Sequence, residues 1–291
     1  MWIIYAVAGA FFKSLSGYNR KKLSHLSSTV FVWISLLLTC IILLPFVIGF
    51  KLPVIQLITQ HYFITAGLTL TASLAMILNV KALKREELSF VAPLNGFVPI
   101  FTLLFAWLFI NELPPIIGIL GVIVIFIGTY IMALDSSKIH WYDPFLRLAK
   151  SSAAYMSLGV TILYALNIIF IKAASNAGFD PVTILYASSV TGIVLFSYIF
   201  ISSKRNEIIK AFRSNPIDLL AASINSLFGA LLNNIAVSLT YSSYANAVRR
   251  VDTIFSVLIG WRLLKESNIK NKLIGAFIIT LGAGIIAISI A

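Results

Sequence analysis

Apolar runs of about twenty residues follow one another along most of the chain, each long enough for a helix to span hydrocarbon. Inside a bilayer every backbone polar group must be satisfied internally, which leaves helices or closed barrels. Barrel strands would alternate apolar and polar residues over segments of roughly ten, and these runs do not alternate. The composition agrees: 59% of the 291 residues are hydrophobic and 11% charged, with a mean hydropathy of +0.97. A soluble fold lacks the interior to hide that much apolar surface. The fold class expected is an all-α polytopic membrane protein.

Breakers and polar connections divide the chain into ten spans: Trp2–Gly17, Ser28–Phe50, Tyr62–Ala82, Leu88–Ile110, Pro114–Leu134, Ser152–Ser175, Pro181–Ser202, Ile217–Tyr241, Tyr244–Leu264 and Leu273–Ala291. Pro114, Pro181 and Pro216 stand at span starts, where a missing N–H costs nothing. The N-terminus has no basic stretch before its apolar one, so the first span is expected to remain in place. The longest polar connection places a first five-helix repeat at 1–135, a connecting loop at 136–151 and a second repeat at 152–291.

Sliding the chain against itself by 154 positions lays the third to fifth spans on the eighth to tenth without a gap. Asn79 falls on Asn233, Trp107 on Trp261, Glu112 on Glu266, Gly121 on Gly275 and Gly128 on Gly282. The first span matches the sixth at a slightly different shift, with Tyr5 on Tyr164 and Lys13 on Lys172. Apolar residues coincide by chance easily; Trp, Asn, Glu and Gly in one register do not.

An odd number of spans per half forces opposite orientations, and loop charge tests this. Basic residues crowd the connections after spans one (Arg20, Lys21, Lys22), three (Lys84, Arg85), five (Lys138, Arg147, Lys150), seven (Lys204, Arg205, Lys210, Arg213) and nine (Lys265, Lys270, Lys272). The connections after two, four, six and eight offer little beyond Lys51. Equivalent loops of the two halves have thus exchanged their charge, the signature of two inverted five-helix repeats. The basic loops are expected to be cytoplasmic, with both termini outside.

Ten spans in two inverted halves, with Asn79/Asn233, Trp107/Trp261 and Glu112/Glu266 in register, resemble the EamA-type branch of the drug/metabolite transporter superfamily. In that family the fourth and ninth helices often end in an acidic residue, followed by a glycine-bearing helix. Here Glu112 precedes Gly118, Gly121 and Gly128, and Glu266 precedes Gly275 and Gly282. The resemblance implies a basket of helices one, three, four, six, eight and nine around a central pocket, with five and ten at the pseudo-twofold axis. It implies transport of small metabolites or drugs, and its members are usually drawn with both termini inside, against the charge reading.

Arg249, Arg250 and Asp252 lie inside the otherwise apolar ninth span. Each charge costs at least roughly 2.5–3.5 kcal/mol on insertion scales, so such residues face a cavity or a partner. Arg249 and Arg250 offer paired donors to a substrate carboxylate or phosphate. Alternatively, Arg249 pairs with Asp252 one turn on and Arg250 snorkels to the interface. Asn95, which aligns with Arg249, joins Asn167, Asn225 and Tyr241 as candidate substrate contacts. Asp252 is the one deep acid that could couple transport to protons. Asn79, Asn233, Glu112, Glu266, Gly121 and Gly275 read as structural, the two glutamates each held by the N-terminus of the helix that follows. Lys13 and Lys172 read as snorkelling residues at span ends, and Pro93 with Pro99 as a bend in the fourth span.

Other function classes find little support. The lone Cys40 lies in an apolar run, and His25, His61 and His140 are scattered, so no metal site is expected. Neither a Gly-rich nucleotide loop nor an intramembrane catalytic set stands out, so neither enzyme activity nor a cofactor is expected. The net charge of +12 resides in loops rather than in a basic patch with aromatics, which argues against nucleic acid. The expected partners are a small-molecule substrate and the lipid of the cell membrane, with the chain a monomer or homodimer. The leading function is a secondary transporter of a small polar metabolite working by alternating access. A broad drug exporter and a non-transporting accessory protein are the alternatives.

Overall fold

The structure, a computed structural model, describes residues 1–23, 26–85, 97–133, 152–200, 205–264 and 270–289, and all secondary structure among them is helical. The helices are α1 (Trp2–Lys22), α2 (Ser28–Gly49), α3 (Val54–Gln60), α4 (Tyr62–Arg85), α5 (Val98–Ile110), α6 (Ile116–Ala133) and α7 (Ser152–Asn176). The remainder are α8 (Pro181–Phe200), α9 (Arg205–Ser214), α10 (Pro216–Leu239), α11 (Ser242–Val248), α12 (Asp252–Leu264) and α13 (Lys270–Ile288). The stretches Thr29–Gly49, Tyr155–Asn176 and Pro216–Leu239 are long and apolar enough to cross a membrane singly. The helices Val54–Gln60 and Tyr62–Leu78 meet that test only together, bent by 96°. The bend sits at His61, whose backbone N–H still reaches Leu57, while the Thr65 hydroxyl bonds the Leu57 carbonyl at 3.0 Å.

Several expectations about the spans need correction. The first helix continues past Gly17 to Lys22, so Lys13 lies mid-helix rather than at an end. The ninth span is interrupted: α11 stops at Val248, a 3₁₀ turn covers Arg249–Val251, and α12 begins at Asp252. The basic connection after span seven contains α9, whose Ile208 packs on Leu23, Val30, Phe31 and Leu219. Pro99 falls in the first turn of α5, and Pro93 lies outside the described residues, as does most of the stretch between them, where a bend is expected.

Inverted pairing governs the packing. α1 lies along α10, and its repeat equivalent α7 lies along α4. In the same way α7 packs on α5 as α1 packs on α12, while α2 with α8 and α6 with α13 are each their own equivalent. The connections sort to two ends accordingly. His61, after the second span, stacks edge-on against Phe179, after the sixth, with ring centroids 5.2 Å apart. Glu112, after the fourth, bonds Ser242, after the eighth. Opposite them, the Ser27 backbone N–H donates to Glu207, joining the connections after spans one and seven.

At the α6–α13 contact the backbones nearly touch. A Cβ on Gly121 would lie 3.0 Å from the Gly282 carbonyl oxygen, and one on Gly282 would lie 2.9 Å from that of Gly121. A Cβ on Gly128 would stand 2.9 Å from the Gly275 carbonyl oxygen. Small residues are what close helix approach requires in lipid, where no hydrophobic force drives helices together. The other face of α6 carries Ile116, Ile117, Leu120, Ile123 and Ile127, all exposed. A helix apolar on both faces belongs in a bilayer.

Candidate functional site

The interrupted ninth span holds the charge. In a 3₁₀ turn residues three apart eclipse, so Arg249 and Asp252 leave the backbone on one side. Asp252 is buried, and its ion-pair partner is Lys13 of α1, rather than the Arg249 expected from spacing. Three further contacts fix α1 against this turn. Ser14 Oγ donates to the Asp252 carbonyl at 2.8 Å, Ser256 Oγ lies 3.2 Å from Ser14 Oγ, and Phe11 meets Phe255 edge-on at 5.4 Å. Lys13 keeps 41% of its side-chain surface accessible against 12% for Asp252.

Both guanidiniums bear on the same carboxylate, and Tyr164 of α7 lies within electrostatic reach of both. Arg249 Nε and Arg250 Nε are buried donors with no hydrogen-bond partner. Lys13, Arg249 and Arg250 face Asp252 alone, three positive charges against one negative, leaving +2 among the described residues. Unpaired charge in a dry interior costs several kcal/mol per ion, so this arrangement is poised for an anion. Along α11 the polar residues Ser242, Asn246 and Arg249 recur at helical spacing and continue the same stripe. Asn246 donates to Thr102 of α5 at 2.9 Å, while its Oδ1 and the hydroxyl of Ser243 are buried without partners.

A second polar centre closes the opposite end of α11. Asn111 ends α5 in a left-handed conformation (φ 51°) and turns Glu112 inward. Glu112 Oε1 accepts from the backbone N–H and, at 2.7 Å, the hydroxyl of Ser242, so it caps α11 rather than the helix that follows it in sequence. Its other oxygen lies 3.8 Å from Lys172 Nζ. Lys172 in turn donates to the carbonyls of Val237 at 3.1 Å and Thr240 at 2.7 Å, which the end of α10 leaves open. Lys172 therefore points inward and joins α7 to α10, instead of snorkelling.

The other predicted residues scatter. Asn167 donates to the Leu68 carbonyl and Thr71 Oγ1, each at 3.0 Å, linking α7 to α4. Asn225 is half-buried on α10. Tyr241 meets Tyr244 edge-on at 5.1 Å, at the start of α11 and about 12 Å of helix from Arg249 at 1.5 Å per residue. Asn233 is buried on α10, its backbone N 3.3 Å from where a Cβ on Gly9 would stand. Asn95 and Glu266 lie outside the described residues, as does the side chain of Asn79. Lys13, Tyr164 and Asn246 stand with these charges; sequence reasoning misses Asn246, and it reads Lys13 as a snorkelling residue although an intramembrane lysine could answer Asp252.

The inverted pairing and the glycine-lined axis stand beside a match of both halves of the chain to known sequences. The sequence profile of the EamA-like transporter family matches residues 1–134 and 151–288. The chain belongs to the EamA-like transporter family. Its members are transporters embedded in membranes, so this EamA-like chain is a membrane transporter with the family's two-repeat architecture. No curated protein sequence matches it. In fold it is similar to a crystal structure described without a function, at 9% identity and a TM-score of 0.75. That similarity covers 99% of this chain and 96% of the other, and speaks for the fold alone.

Proposed function

We propose that this EamA-like protein is a secondary transporter of small anionic or zwitterionic metabolites, such as amino or organic acids, in the cell membrane. The observation that carries the reading is the excess of intramembrane positive charge around the α11–α12 turn, including two guanidinium Nε donors with no acceptor. A carboxylate or phosphate supplies what those donors lack, and paired guanidinium bonds orient it. Transport proceeds by alternating access, with the repeats at 1–135 and 152–291 rocking about the α6–α13 axis. The chain works in lipid as a monomer or homodimer and needs no cofactor or nucleic acid. Arg249 and Arg250 bind the substrate anion, and Asn95, Asn225 and Tyr241 are further contacts along its path. Asn167, already committed to α4, positions the wall.

The test is counterflow of labelled carboxylates, phosphate esters and lipophilic cations into liposomes holding the purified protein, beside an Arg249→Ala variant. Losing a charged hydrogen bond costs about 1.5–3 kcal/mol, so the variant should bind the transported anion roughly 10- to 150-fold more weakly. A folded variant with unchanged affinity refutes the site. Movement of cations alone favours a broad exporter, and no flux of any compound favours an accessory role.

A further inference from the structure

Asp252 is the acid facing Lys13, Arg249 and Arg250 among the described residues. It is gripped from several sides: Lys13 pairs with one oxygen, the Thr253 hydroxyl lies 3.3 Å from the other, and its own carbonyl receives Ser14. This grip spans an interface, because Lys13 belongs to α1 in the first repeat and Asp252 opens α12 in the second. Among the described residues the other ties between the two helices are neutral: the Ser14–Ser256 pair, the Ser14–carbonyl bond and the Phe11–Phe255 contact. A substrate anion leaves those untouched. Among these described ties, the ion pair is the one that answers to an incoming charge.

An anion carrier that delivers net flux must also travel empty, and its binding cations then have no substrate to neutralise them. With Asp252 the empty turn carries three positive charges and one negative, a net +2; without it, +3. A bound monoanion brings the native turn to +1. Charge in a dry interior is what makes a conformational state costly, so the empty state depends on Asp252 most. We propose that Asp252 is the resident counter-anion of this site: it holds Lys13 when no substrate is present, and an arriving substrate anion displaces it from that lysine. The proposal rests on the transport function above. It assigns to Asp252 neither substrate binding nor proton carriage, but the return of the unloaded carrier. Exchange of Lys13 from the carboxylate to the substrate also loosens the charged tie between α1 and α12, so loading the site alters how the two repeats are held.

Net flux requires the empty carrier to reorient, whereas exchange does not, and this difference isolates the role. Full-length protein in liposomes is given labelled glutamate, succinate and glycerol phosphate. For whichever acid the native protein moves, net efflux into empty medium and one-for-one exchange are both measured. Asp252→Asn is expected to lower the ratio of net flux to exchange at least tenfold and to tighten anion binding, since the internal competitor is gone. The double variant Lys13→Met with Asp252→Asn returns the empty turn to +2 and is expected to recover the ratio to within threefold of native. If Asp252→Asn does not fold, Lys13→Met alone decides: it lowers the empty charge to +1, so anion affinity should fall tenfold or more while the ratio does not fall. A native ratio in Asp252→Asn, or a lowered ratio in Lys13→Met, overturns the counter-anion role and leaves the transporter standing. Absence of flux of all three acids in the native protein overturns both.

Discussion

Gly282→Ala is the most discriminating test of the α6–α13 axis, because the structure supplies its own control two residues away. A methyl group at 282 would stand 2.6 Å from Ile125 Cγ1, 2.9 Å from the Gly121 carbonyl oxygen and 2.9 Å from Ile125 N. Two of these are backbone atoms that cannot turn aside. Ordinary contact begins at 3.4 Å, so the helices must part by roughly 0.5 Å. A gap of 0.5–1 Å forfeits about a quarter to a half of each van der Waals well it opens. Gly128, whose Cβ would stand 2.8 Å from Ile279 N, lies in the same contact and shares the loss. Overpacking of this kind costs about 1–3 kcal/mol, against which the better helix propensity of Ala returns about 1 kcal/mol at most. At Gly284 a Cβ meets nothing within 4 Å, so Gly284→Ala should be neutral or stabilising by up to about 1 kcal/mol. Unfolding in mixed detergent and SDS, followed by tryptophan fluorescence, would read both. Equal stability of the two variants would refute the argument. So would strict additivity of Gly121→Ala with Gly282→Ala, since the first methyl group already separates the helices for the second.

Glu112→Ala should destabilise by about 3 kcal/mol, the low end for breaking a buried pair, because Lys172 keeps two carbonyl partners. Glu112→Gln keeps an acceptor for Ser242 and should cost about 1 kcal/mol less in the same unfolding assay. Thr102→Val leaves the buried Asn246 amide without its partner and should cost about 1–3 kcal/mol, whereas adding Asn246→Leu should recover much of it. For orientation, single cysteines placed beside Arg213 and beside Lys51 in a Cys40→Ser background should label from opposite sides. Labelling at Lys51 from outside fits both termini out; labelling there from the cytoplasm reverses the assignment.

The repeat was legible because Trp107, Glu112 and Gly121 recur at one offset among residues too distinctive to coincide. Close packing at the glycines was legible too, since glycine in an apolar helix has few uses besides close approach, while their place at the axis came from the family resemblance. The interruption of the ninth span was hidden: Ser242 to Leu264 contains neither proline nor an early glycine, and the 3₁₀ turn falls on two arginines that periodicity treats as helical. Nor could spacing choose the partner of Asp252. Arg249 is three residues away and Lys13 lies 239 away, yet the packing of α1 on α12 brings the distant one into contact. The helix α9 was obscured for a different reason, since a polar amphipathic segment in a charged connection has no apolar run to announce it.

Lys13 and Lys172 occupy matching places in the two repeats but have diverged in what they hold. One grips an acid beside two arginines, and the other seals the end of α10. Identical halves would make the inward- and outward-facing forms degenerate in free energy. Under the alternating access proposed above, that degeneracy is lifted, and the unoccupied protein is expected to rest on one side of the membrane more than the other. Half-saturating concentrations on the two faces then differ, and microscopic reversibility obliges the maximal velocities to differ in compensation. A carrier of that kind, if uncoupled, fills quickly from a dilute side without moving the final distribution, leaving the electrochemical gradient to set where its substrate accumulates.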